Sequence, residues 1–284
     1  MMKAGFFSIR YQTFSEDIRI IFPHWDQDTE SVVVLSPHDD DALLGVGYMI
    51  THLVENHVPV KIVIFCKGDT GYSSPELRDS IVEIRKAETL NAYSRLGLSS
   101  DDIIFLDIPD FSLRKRVGWD GLGTDDAIFG KMIRLLRKHR VTRLMVANGH
   151  REHSDHTAVH DIGMFDGVQA GDPILSDYGE LARLRSTHIY SVWADFSPDD
   201  ALECERPLSL RANMGMAVDE AVEKKIIDAL QCYVSQMDII DGLVRMREEK
   251  RSDKGFIELY QWVDPRPRLS YAPYVAWLNA LEGQ

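Results

Sequence analysis

The strongest constraint on the fold is a change of period at residue 36. Val32-Val33-Val34-Leu35 is a β-branched, wholly apolar run closed by Ser36-Pro37, and His38-Asp39-Asp40-Asp41 follows directly. Beyond it Leu43, Leu44, Tyr48, Met49 and Leu53 recur at helical spacing. A buried strand that turns straight into a helix is half of a βαβ unit. The alternation then repeats. Strands are expected at 59–66, 103–106, 143–147 and 187–193, and helices at 41–55, 75–96, 125–139, 156–168 and 219–237, with Gly97 placed to end the second helix. This predicts an α/β fold, a Rossmann-like, mostly parallel sheet flanked by helices. All 284 residues fit one such domain. Within it, 1–30 reads as an extension with a strand near 18–22, and 194–284 supplies a late helix and a pocket rim. Residues 194–216 are poorly patterned, and the mixed-charge run 245–254 reads as a solvated helix end or loop.

The pattern also locates the chemistry. Both His/Asp segments follow strands directly, at the C-terminal edge where open α/β sheets form their sites. His38 and Asp41, three apart across the turn, can point at one spot, while Asp40 can face the same pocket without ligating. Ionised carboxylates are favoured at a helix N-terminus. A metallohydrolase needs this division between metal ligands and a free base. A capping cluster is the plainer reading, but a cap needs one acid and adjacent carboxylates repel. The second segment is His153-Ser154-Asp155-His156, in a stretch where His150 and His160 bring the total to four of the ten histidines. Spacing of three or four residues shares a helical face. One imidazole can complete a metal site, another can serve as acid or oxyanion partner, and Asp155 can fix a tautomer. His150 and His160 individually read as solvated or packing residues. Two imidazoles, a carboxylate and an open position suit catalytic zinc, and also Fe2+ or Co2+.

Composition excludes several classes. A net charge of -13, from 32 basic and 45 acidic residues, disfavours nucleic acid and anionic membranes as partners. Cys66, Cys204 and Cys232 form no C-x-x-C and no disulfide framework. No apolar run approaches the roughly 18 residues of a membrane span, and no signal-peptide core follows the N-terminus. The expectation is a cytoplasmic protein acting on a small molecule, with a homo-oligomer compatible.

Taken together, Ser36-Pro37-His38-Asp39-Asp40-Asp41-Ala42-Leu43-Leu44-Gly45 and His153-Ser154-Asp155-His156-Thr157-Ala158-Val159 resemble the two motifs of the PIG-L/LmbE-like zinc-dependent N-acetylglucosamine deacetylases. Arg85, Glu88, Ala92 and Leu96-Gly97 between them, and Ala229 with Ser235-Gln236 later, are also similar to that family. The resemblance spans about 31 to 260. It implies that His38, Asp41 and His156 ligate zinc and that Asp40 is the general base. It further implies that His153 stabilises the oxyanion or protonates the leaving amine, tuned by Asp155. Three positions depart from the family pattern: Asp39 for Pro, Ala42 for Glu, and Tyr48 for Gly.

The expected reaction is hydrolysis of the N-acetyl group of an N-acetylglucosamine-type sugar or conjugate. Alternatives are an amidase on a larger acyl or thiol conjugate, a weakly catalytic sugar- or metal-binding descendant, and a phosphoesterase. The last lacks a Gly-rich phosphate cradle. Lys67, Asp69 and Tyr72, and Asp107 with Asp110, are candidate pocket borders. Arg85 and Glu88 read as a structural ion pair beneath the site, and Trp119 with Gly121-Leu122-Gly123 as a candidate aromatic rim.

Overall fold

The computed structural model describes residues 4–118 and 127–281; Trp119 and Gly121-Leu122-Gly123 lie outside them. The first half runs β1 (Ala4–Ser8), β2 (Thr13–Ser15), β3 (Val32–Ser36), α1 (Asp41–Glu55), β4 (Val60–Cys66), α2 (Ile81–Ser94), β5 (Ile103–Ile108) and α3 (Ile128–Lys138). There follow β6 (Arg143–Ala147), α4 (Ser154–Asp161), α5 (Gly167–Gln169), β7 (Ser186–Tyr190), α6 (Asp199–Glu203) and β8 (Met214–Val218). The chain closes with α7 (Glu220–Leu230), α8 (Met237–Met246), β9 (Arg251–Ser252), β10 (Gly255–Val263) and α9 (Ala272–Leu281).

The strands share one sheet, ordered β2-β1-β8-β10-β7-β6-β3-β4-β5, with β9 hairpinned onto β10. From β7 to β5 all pairings are parallel. On the other side β10 meets β7 antiparallel, and β8, β1 and β2 continue that way. Every residue of β3, β6 and β7 is buried, as the unbroken apolar runs of β3 and β6 require when helices cover both faces. After β3 the chain moves outward to β4 and β5, then returns to place β6 on β3's other side. That reversal opens a crevice between the C-terminal ends of β3 and β6. Both motifs emerge into it.

Several elements differ from the periodicity. Helix α1 is interrupted at Val46 (φ -142°), and beyond the break the N–H groups of Tyr48 and Met49 donate to the Glu258 carboxylate at 3.0 and 3.2 Å. The span 75–96 divides into a 3-10 turn at Pro75–Leu77 and α2, and 219–237 breaks after Leu230. Helix α4 stops at Asp161 and continues as a π turn, Ile162–Asp166. Ile18–Ile20 is a 3-10 turn, and the N-terminal strands are β1 and β2 instead. The run 245–254 is not simply solvated. Arg247 is buried and pairs with Glu223 at 2.7 and 2.8 Å, while also donating to the Tyr48 hydroxyl at 3.2 Å. Its charge is matched inside the fold by residues distant in sequence, which a charge count cannot register.

Candidate active site

The strand β3 delivers His38 and Asp41 because Ser36 fixes the turn. Its hydroxyl donates to the His38 carbonyl at 2.5 Å and accepts from the Ala42 N–H at 3.1 Å. Asp41 Oδ2 then sits 3.1 Å from His38 Nδ1 and 3.0 Å from His156 Nε2, joining the two motifs at one oxygen. Potential ligand atoms of His38, Asp41 and His156 all lie within 4.8 Å of one another.

Two other groups centre on His38: one with Cys66 and Asp110, one with His153 and Asp155. Most of their donor atoms are otherwise engaged. Asp110 accepts from the N–H groups of Gly68 and Thr70 at 2.9 and 3.0 Å, and burial pushes the Cys66 thiol up to about 11. Asp155 Oδ2 accepts from the Phe111 N–H at 2.7 Å. His156 Nε2, like Asp155 Oδ1, is buried without a hydrogen-bond partner, and it alone of the two faces the Asp41 carboxylate, at 3.0 Å. An orphaned imidazole nitrogen facing a carboxylate is what a metal would satisfy, so the His38/Asp41/His156 group fits a divalent ion best.

Glu152 explains why that nitrogen is free. Its Oε2 lies 2.6 Å from His156 Nδ1, which therefore donates the ring's proton and leaves Nε2 as a lone pair. Glu152 Oε1 in turn accepts from the Ser191 hydroxyl at 2.8 Å and the N–H groups of Val192, Trp193 and Ala194 at 2.9, 3.2 and 3.2 Å. The strap after β7 is thus tied to the site, and the Trp193 ring stands 4.9 Å from that of His156. Sequence reasoning missed Glu152; its only signal was a carboxylate four residues before a histidine.

His153 precedes α4 as its N-cap, with Nδ1 accepting from the Asp155 N–H at 3.2 Å. The proton of the neutral ring therefore rides on Nε2. The backbone of Asp155 sets this tautomer; the Asp155 carboxylate lies 3.7 Å away and instead holds Phe111. Phe111 adopts a left-handed conformation (φ 59°) there, and its ring stands 4.7 Å from His153. Burial, then the His38 charge, lower the basicity of His153.

Asp40 is half-buried, and its carboxylate makes no ion pair or side-chain hydrogen bond among the described residues. Burial and the adjacent Asp39 and Asp41 charges push its pKa upward. Asp39 turns the other way, into a two-oxygen pair with the Arg85 guanidinium. So Arg85 serves Asp39, not Glu88, which accepts from the Ser235 N–H and hydroxyl at 2.8 and 2.7 Å. Asp107 pairs with Lys86, and Lys67 with Asp69, at the loops' edges. His160 Nδ1 lies 3.2 Å from the Ala147 carbonyl as a packing residue, and the His150 N–H donates to Asn148.

An open α/β sheet with a histidine–carboxylate cluster at its topological switch point defines the class of protein. Residues 33–165 match the family described as PIG-L: GlcNAc-PI de-N-acetylase. Both motifs fall within the matched residues. The fold is similar to that of N,N'-diacetylchitobiose deacetylase from Pyrococcus horikoshii, at 16% identity and a TM-score of 0.64 over 87% of this chain and 90% of that one. It is also similar to the 4-carboxy-2-hydroxymuconate hydratase GalB from Pseudomonas putida, at 18% identity and a TM-score of 0.58 over 85% and 99%. A zinc-inhibited form of teicoplanin deacetylase shares it too, at 16% identity and 0.51 over 82% and 99%. No curated protein sequence matches the chain. No helix among the described residues is long and apolar enough to cross a membrane.

Proposed function

We propose that this chain is a metal-dependent N-deacetylase that hydrolyses the acetamido group of an N-acetylglucosamine-type sugar or conjugate, releasing acetate and a free amine. One observation carries the reading: two imidazoles and Asp41 converge with His156 Nε2 lacking a hydrogen-bond partner, while the adjacent Asp40 carboxylate makes no ion pair among the described residues. His38, Asp41 and His156 would hold the ion. A bound zinc would polarise the acetyl carbonyl and acidify the attacking water. Asp40 would take the water's proton, since it is unpaired and adjoins the ligands. His153 would aim its Nε2–H at the developing oxyanion or the departing nitrogen. Asp155 acts on His153 through its backbone N–H and on the rim through Phe111. The deacetylases among the structural relatives support the amide reading, although the same fold also carries a hydratase.

The test is metal analysis of the purified chain with a primary-amine release assay across N-acetylglucosamine conjugates. Zn2+, Fe2+ and Co2+ are loaded separately, because the donor set accepts all three and a teicoplanin deacetylase is known in a zinc-inhibited form. About one ion per chain and amine release from an N-acetyl sugar are expected. Stoichiometric metal without amine release from any acetamido sugar would remove the deacetylase reading.

A further inference from the structure

The chain ends in an apolar helix that the rest of the fold does not cover. No charged residue occurs from 269 to 281. No residue of α9 is buried, and Tyr271, Tyr274, Val275, Trp277, Leu278 and Leu281 are 47% to 70% exposed. A helix apolar on all sides is ordinarily buried in a larger structure, and ten residues fall short of the about 20 needed to cross a bilayer. Pro273 near its start favours helix initiation, and a helix of this length is marginal in water until its apolar face is packed.

A second unpartnered apolar surface lies elsewhere on the same chain. A cavity of about 590 Å3 opens between the strap after β7, the end of α8 and the outer side of β10. Trp193, Leu210, Met246 and Leu259 line it, and all four are large hydrophobics left 38% to 54% exposed. Arg211 at its edge is already paired with Asp195 at 3.1 Å, which suits an uncharged occupant.

We propose that α9 is an exchange arm that docks on a second copy of this chain, seating Tyr274, Trp277 and Leu278 on the cleft formed by Trp193, Met246 and Leu259. The hinge favours another copy over self-docking. The arm leaves from Val263, which pairs with Thr187 near the N-terminal end of β7, whereas the cleft includes the strap beyond that strand's C-terminal end. Just after Val263, Arg266 is clamped to Asp172 at 2.6 Å through both guanidinium nitrogens. Pro265 and Pro267 on either side limit how the chain can turn back. Area is sufficient. Each aromatic ring can bury roughly 150–250 Å2, so Tyr274 and Trp277, with Tyr271, Val275, Leu278 and Leu281 around them, approach the about 800 Å2 per partner of a stable interface. Reciprocal docking would double the contact, and it would bear on Trp193, the residue beside His156.

The experiment is light scattering and sedimentation of the full chain over a concentration series, comparing wild type, Trp277→Asp and Met246→Asp. Both sites are exposed, so neither change threatens the fold. The wild type should self-associate, and each variant should weaken association by roughly 30-fold or more, the scale of an interface hot spot. An equimolar mixture of the two variants retains one good arm against one good cleft and should associate more tightly than either alone. A wild type that stays monomeric at its highest soluble concentration would overturn the proposal. So would association unchanged by Trp277→Asp. Weakening by Trp277→Asp but not Met246→Asp would overturn the cleft assignment, and a monomer that co-sediments with lipid vesicles through α9 would replace the second copy by a lipid surface.

Discussion

The parallel and antiparallel halves of the sheet bury polar groups for opposite purposes. Between β7 and β5 one ion pair, Arg143 with Glu30, is buried at the start of β6, and the other polar groups of the motifs gather beyond the strands' C-terminal ends, where His156 Nε2 and Asp155 Oδ1 are left without hydrogen-bond partners. Across β10 and β8 the charges lie inside the packing and satisfy one another. Glu223 meets Arg247 and Tyr48, while Glu258 meets Tyr260 and two amides of the broken α1. One half stores unmet bonding capacity at an edge. The other spends its polar groups holding α1 against α7 and β10. The difference teaches that a buried charge by itself does not mark function; here the mark is an unpartnered imidazole nitrogen converging with other potential ligand atoms.

Four measurements would break or sharpen that contrast. The largest effect is expected in the antiparallel half. Arg247→Met strands a buried Glu223 carboxylate and should cost about 3–5 kcal/mol in denaturant unfolding, with metal content per folded chain unchanged. A cost below about 1 kcal/mol would mean the network does not hold the helices. In the parallel half, Asp40→Asn should leave stability and metal intact while slowing amine release by about 10²-fold or more. An unimpaired rate would place the base elsewhere. Next comes Glu152→Gln, whose amide can donate to His156 Nδ1 and so shift the ring proton onto Nε2. Metal affinity should fall about 10- to 100-fold, read by competition with a chelator, while an unchanged affinity would sever Glu152 from the ligand set.

The last effect is a slope with pH, absent near neutrality. His188 is fully buried, donates from Nε2 to the Ile21 carbonyl at 2.9 Å and leaves Nδ1 without a partner. Burial, with the Arg143 charge adding to it, lowers its pKa to about 3. The folded ring stays neutral where the unfolded one, near its usual 6.5, takes up a proton. Stability from this group is therefore intact above pH 6.5 and falls by about 1.4 kcal/mol per pH unit between 6.5 and 3. His188→Gln should remove that part of the acid slope; an identical slope in both proteins would mean the ring is protonated when folded.

How much of this was legible depended on the range of the interactions. β3, α1's bounds and β6 were readable because strand and helix periods are local. The convergence of His38 with His156 followed from placing both after neighbouring strands, a rule of topology that needs no side-chain detail. The partner expected for Arg85 was misread, and the atom by which Asp155 reaches His153 was not legible, for a different reason. Asp155 acts on His153 through its N–H, and Arg85 turns to Asp39 because Asp39 stands where it can be reached. Neither orientation is written in residue type. Glu152 was invisible because its meaning comes from four donors in and beside the strap, about forty residues later.

The sequence by itself determined the alternation of strand and helix, the location of the polar clusters at strand ends and the residue types available for metal and proton transfer. These depend on spacing along the chain, which is fixed before folding. Only the tertiary structure decided which nitrogen of His156 is free, where Asp39 points, that Arg247 lies inside, and that α9 stays uncovered. Those outcomes depend on which distant groups come within hydrogen-bond reach, and burial makes each such meeting, or its absence, energetically decisive.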